Sequence, residues 1–163
     1  MKRFTSSDGF SLLELMAVIA IIAILATLAI PSRTGPVTQK KIIESLELVD
    51  SYRASIEEYY FLNAGGFPQD NVAAGIPEPN KILGNYLEKV EVRDGVLHLF
   101  LGQKMPPKLH GKIVSWRPVY VKDSLDSKIS WVCGVSEVPK GMTGAGRNLT
   151  NLNVQFLPGR CRI

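Results

Sequence analysis

The sequence predicts an α+β fold. A long N-terminal α-helix, apolar in its first half and amphipathic in its second, packs on a four-stranded antiparallel sheet, and a C-terminal loop bounded by Cys133 and Cys161 closes the chain. Three observations carry that prediction. From Phe10 to Ile30 there are 21 residues and one charge, Glu14. Val37 to Leu62 then places apolar residues at helical spacing. Beyond residue 86 the period falls to two, in short runs separated by Gly, Pro, Asn and Asp.

The chain opens on Met1–Gly9, a short basic leader with Lys2 and Arg3 that stays on the inner side of a membrane. An ordinary secretory signal is cut after its apolar run, at small residues with A-x-A spacing. Ala26-Thr27-Leu28-Ala29 breaks that spacing, and Glu14 sits badly inside such a run. A cut at Gly9–Phe10 instead keeps residues 10–30 in the product. As a helix this stretch is about 31 Å long, near the thickness of a bilayer core. It is apolar on all faces, so it belongs in lipid or inside a protein assembly. Pro31 and Pro36 flank Ser32-Arg33-Thr34-Gly35, and two residues without an N–H predict a helix break there.

Residues 31–163 read as one globular domain. In its amphipathic helix Ile42, Leu46, Val49, Ile56 and Tyr60 form one stripe, interrupted by Arg53, and Glu44, Glu47, Asp50 and Glu57 take other faces. Asn63-Ala64-Gly65-Gly66 ends it, with Asn and Gly suited to a left-handed cap. Residues 64–85 form a loop with a short helical turn near Lys81–Leu83. Strands follow at Leu87–Val92, Val96–Leu101, Lys112–Val121 and Lys128–Cys133, in sequence order as a meander. Arg93-Asp94-Gly95 is the first hairpin turn, and Pro118 places an edge or a bulge in the third strand. Residues 134–163 return as a loop with one apolar patch at Val154–Leu157.

Hydrophobic residues make up 45% of the 163 and charged residues 21%, enough to bury a core and unlike a disordered chain. A net charge of +4 does not by itself indicate a nucleic-acid partner. The membrane signal implies export, and in an oxidising compartment Cys133 and Cys161 most simply pair. Such a bridge contributes about 3–4 kcal/mol by restricting the unfolded chain. Two buried free thiols are the alternative. A metal site is a weaker one, because no Cys-x-x-Cys or His pair accompanies them.

Other chemistries find little support. His98 lies in an apolar strand and His110 in a loop, with no matched Ser or Cys. Asp123 and Asp126 resemble a turn more than a calcium loop. Asn148-Leu149-Thr150 fits a glycosylation pattern but reads as loop chemistry. Trp116 and Trp131 read as packing residues. Lys104, Lys108, Lys112, Arg117, Lys122 and Lys128 form a basic set that sequence does not place on one face. Neither a catalytic constellation nor a cofactor is implied.

The run Gly9-Phe10-Ser11-Leu12-Leu13-Glu14-Leu15-Met16, behind a basic leader and ahead of an apolar helix ending at Ala29-Ile30-Pro31, resembles the N-terminus of type IV prepilins. The family pattern has Thr and Ile where Ser11 and Leu13 stand. Ile129-Ser130-Trp131-Val132-Cys133, with Phe156-Leu157-Pro158-Gly159-Arg160-Cys161-Arg162, resembles the disulfide-bounded end of type IVa pilins. Pseudopilins of type II secretion commonly lack that ending. Ser32–Thr38 departs from the Gln/Tyr-rich sequence of many members.

The resemblance implies a fibre subunit and no catalysis by the chain itself. A membrane peptidase cuts after Gly9, where a residue without a side chain suits a narrow site, and N-methylates Phe10. Glu14, four residues on and on the same helix face, then meets the new amine in its own chain or in a neighbour. The implied partners are other subunits in a homopolymer, the prepilin peptidase, an inner-membrane assembly platform with ATP-driven motors, the membrane, and a host surface or DNA. The expected locations are the inner membrane before assembly and an extracellular pilus afterwards, serving adhesion, twitching motility and DNA uptake. The rival readings are a minor pilin of the same machine, for example one binding DNA, a type II pseudopilin, and a membrane-anchored binding module that never polymerises.

Overall fold

A computed structural model describes residues 10–28 and 34–163, without the side chains of residues 28 and 34. The chain divides into two compact units between residues 33 and 34. The first contains helix α1, Leu12–Leu28, of 17 residues and apolar throughout except for Glu14 and Thr27. The Leu15 N–H donates to the Ser11 carbonyl at 3.1 Å. Thr27 turns its hydroxyl inward to the Ile24 carbonyl at 2.7 Å, so the helix satisfies its one alcohol by itself. Among the described residues no helix is long and apolar enough to cross a membrane. Pro31 lies outside the described residues.

The second unit opens on α2, Thr34–Leu48, and α3, Asp50–Leu62. This corrects the predicted helix in two ways. It starts at Thr34 rather than Val37, so Pro36 lies in the first turn of α2 and not in a break. The first N–H groups of a helix have no partner within it, and a proline there loses nothing. The helix is also interrupted at Val49, where the Tyr52 N–H bonds to the Val49 carbonyl, one residue tighter than an α-turn. No Gly or Pro marks that point. Val49 is β-branched, and Asp50 favours a first turn. One residue of irregularity leaves the stripe in phase: Ile42, Leu46, Val49 and Ile56 are fully buried and Tyr60 nearly so.

The stripe packs on a sheet of strands β1 (Leu87–Arg93), β2 (Val96–Leu101), β3 (Ile113–Tyr120) and β4 (Ser130–Cys133), antiparallel in sequence order. Cross-strand partners share a face. Val92 opposes Leu97 and Val90 opposes Leu99; in turn Leu97 opposes Trp116, and Trp116 opposes Cys133. These residues form one core with the helix stripe. Each of its fully buried aliphatic side chains contributes about 1.5–3 kcal/mol. The Arg53 gap is filled rather than empty: its guanidinium lies 4.6 Å from the Trp116 ring centre and pairs with Asp50. Trp131 meets Trp116 edge-on at 5.9 Å and donates its indole N–H to Glu57.

A fifth strand, β5 (Thr143–Gly144), pairs with the end of β3 and was not predicted. Two residues, one of them glycine, leave no period to read. Along one edge β3 pairs with β2 over residues 113–116 and with β5 over 119–120. Pro118 falls in the handover between them, where its missing N–H costs no ladder bond. The hairpin at Asp94-Gly95 takes the left-handed conformations expected of it, with φ +49° and +78°. At the end of α3 the left-handed residues are Ala64 and Gly65, not Asn63. The Asn63 side chain instead donates to the Tyr59 carbonyl.

Candidate functional site

Of the residues singled out for processing and assembly, Gly9 lies outside the described residues, and Phe10 and Glu14 stand near the first end of α1. Phe10 is 81% exposed and lies two residues before the helix begins, and Glu14 lies exposed in its first turn. The large apolar side chains of α1 are exposed on every side, from Val18 at 44% to Leu13 at 77%. A helix this greasy on all faces is unfavourable in water, because each such side chain forgoes about 1.5–3 kcal/mol of burial. It requires lipid or protein around it.

In the second unit Cys133 and Cys161 form a disulfide, across a sequence separation of 28. Gly134 makes the approach possible. Its φ is +63°, and a Cβ there would stand 2.5 Å from the Cys161 carbonyl oxygen. The Val135 N–H bonds to that same oxygen. The enclosed segment serves both faces of the sheet: its Leu152 and Leu157 join the core beneath the helices, while Leu149 reaches Ser115 on the other face. Asn148 Nδ2 and the Thr150 hydroxyl both donate to the Gly134 carbonyl, and the Leu149 N–H donates to Ser115 Oγ. The Asn148 amide therefore works within the loop, as its sequence setting predicted.

His98 does have a serine partner, which sequence reading missed. Its Nδ1 lies 2.9 Å from Ser115 Oγ, brought across by the β2–β3 register. Ser115 Oγ also accepts from the Leu149 N–H, and the tautomer of the His98 ring decides which member of the pair donates to the other. Both residues are buried. Burial first, and then Arg93, push the ring's pKa down to about 4, while Glu91 and Asp94 oppose them. The pair braces the sheet and has no access for a substrate. His110 Nε2 lies 2.8 Å from the Met105 carbonyl. Among the described residues no group of three or more His, Cys, Asp or Glu is placed to hold a metal. Asp123 takes a left-handed turn, φ +61°.

The basic residues do not form one stripe. Lys104 Nζ is held by Asn85, and Lys108 and Lys112 line a groove of about 650 Å³. Arg117 packs against Gly144, and Lys122 and Lys128 are exposed in the β3–β4 loop. A contact that sequence gave no sign of is Asn71, buried in the loop of residues 63–86. Its amide donates to the Pro77 and Val90 carbonyls and accepts from the Val92 N–H. It thereby closes the outer edge of β1.

Two family models match this chain. The model for bacterial filament pilins spans residues 41–162, and the prokaryotic N-terminal methylation motif spans residues 5–30. Among known proteins, the type IV major pilin PilE1 of Neisseria gonorrhoeae is 31% identical over 97% of this chain and 88% of its own length. The type IV major pilin PilE of the same organism is 33% identical over 97% and 95%. A fimbrial protein of Neisseria meningitidis is 31% identical over the same shares.

Proposed function

The chain belongs to the pilin family of bacterial filaments, and we propose that it is a main structural subunit of a type IV pilus, made as a precursor. The family is structural, and the chain's work is to polymerise. In this reading residues 1–9 are a leader, removed by a prepilin peptidase at Gly9–Phe10, and Phe10 is then N-methylated. Residues 10–30 anchor the chain in the inner membrane and later pack along the fibre axis, while residues 31–163 form the exported domain. The apolar sequence continues past the described end of α1 to Ile30, which supports a bilayer-spanning length. Partner motors supply ATP hydrolysis through an assembly platform. Adhesion, twitching motility and DNA uptake are the activities such a fibre serves.

The observation that carries the proposal is α1: apolar on all sides, exposed, and charged only at Glu14 beside the new terminus. A carboxylate at the centre of a bilayer costs about 2.5–3.5 kcal/mol and less near the interface. Pairing with a Phe10 amine offsets that cost and sets the register between neighbouring helices. Glu14→Leu is expected to insert in the membrane normally and to reach the cell surface as fibre in much lower amount. Normal fibre yield from this variant would sink the assembly role. Mass spectrometry of the mature chain is expected to find Phe10, methylated, as its first residue. An intact leader would favour the non-polymerising anchor. The disulfide-bounded end speaks against a secretion pseudopilin. Shearing cells and identifying the dominant fibre protein separates a main subunit from a minor one.

A further inference from the structure

Two surfaces at opposite ends of the helix pair match one another. The first is the groove of about 650 Å³, walled by Pro107, Leu109, Leu152 and Phe156, with Lys108 and Lys112 and no acidic residue among its lining. It sits by the start of α2, where Gln39 Nε2 donates to the Gln155 carbonyl at 3.0 Å. The second is the tip of α3. Leu62 is 76% exposed there, and Val72, in the loop that follows, is 76% exposed beside Asp70 in a neighbouring hollow that Glu91 and Arg93 also line. Leu62 and Glu58 share a shallow hollow with Ala73, Ala74 and Gly75 of the following loop. Asp70, next to Val72, binds the Ala73 N–H through one oxygen. Among the described residues neither Glu58 nor Asp70 takes part in an ion pair.

A basic apolar socket and an acidic apolar knob thus sit on one chain. From Gln39 to Glu58 and Leu62 the helices run about 30–35 Å, so the two surfaces do not meet within a single molecule. A complementary pair of different patches on identical subunits makes a head-to-tail contact that does not close, and therefore a filament. We propose that the end of α3 and the loop after it in one copy, with Leu62 and Glu58 on the helix and Val72 and Asp70 on the loop, dock in the Lys108/Lys112 groove of the next. Apolar contact supplies the burial, and the charge pairs fix which end meets which. This contact between globular domains rests on the reading of the chain as a fibre subunit and adds to the α1 packing.

The experiment uses the full chain expressed in a pilus-forming cell. Lys108→Glu with Lys112→Glu, and separately Glu58→Lys with Asp70→Lys, are expected to leave mature chain in the membrane at the parental level. Each set should lower sheared fibre about tenfold, because like charges then face each other. Combining the two sets restores the attraction with reversed sign and is expected to return fibre to near the parental yield. Leu62→Cys with Lys108→Cys is expected to give a ladder of cross-linked oligomers in sheared fibre treated with a short bismaleimide. Fibre at parental yield from either reversed set overturns the contact, as does failure of the combination to rescue. A parental chain that forms no fibre at all overturns the fibre reading and this contact with it.

Discussion

Arg53 interrupts the apolar stripe of the helices, yet its guanidinium lies over the Trp116 ring and near Trp131. A helical period exposes such a gap but not its partner, because the partner sits on a strand far along the chain. His98 presents the same problem. Its place in an apolar run marked it as buried, but only the strand register names Ser115 as its neighbour. The ring has a consequence for acid stability. Its folded pKa of about 4 lies below the ordinary value of 6.5, owing first to burial and then to Arg93. Between those values the unfolded chain binds more protons than the folded one, so stability falls as pH falls. The loss begins near pH 6.5, is complete below about pH 4, and amounts to about 3 kcal/mol. Melting curves from pH 7 to pH 4 are expected to show it as a falling Tm. His98→Gln keeps a hydrogen-bonding side chain without the titration and is expected to flatten that fall. An equal slope in both proteins would assign it to other groups.

At the scale of elements, the helices and the four main strands were legible because period and punctuation carry them. The stripe from Ile42 to Tyr60 is the buried stripe, and the Asp94-Gly95 turn is where the hairpin turns. The short β5 and the tight turn at Val49 were illegible, since each is decided by packing over one or two residues. The loop of residues 63–86 was legible only as a loop. Its attachment depends on one amide, Asn71, whose three bonds reach Pro77, Val90 and Val92. Asn71→Ala leaves a buried N–H and two carbonyls without partners and is expected to cost about 2–3 kcal/mol. Hydrogen exchange should localise the damage, with amides of residues 69–76 and of Val92 losing protection well before those of β2 and β3. Uniform loss across the sheet would mean that the loop and the sheet unfold as one unit.

For the whole molecule, the closing bond between Cys133 and Cys161 was expected from the count of cysteines and the export signal, while the places where the enclosed loop touches the sheet were not. One of them is the pair of His98 and Ser115, which the loop reaches through Leu149. Reduction under native conditions is expected to lower stability by about 3–4 kcal/mol, measured as a shift of the denaturant midpoint with and without reductant. A reduced domain with an unchanged midpoint would mean that the loop's hydrogen bonds alone hold it. The same closure also matters under mechanical load. A pull on residues 134–160 reaches the sheet from both ends of the loop at once, through β4 at Cys133 and through the sulfur bridge at Cys161. An open tail would instead unzip hydrogen bond by hydrogen bond from its free end. A tether made there transmits tension as a covalent ring, and the weakest link in series passes to whatever the ring is holding.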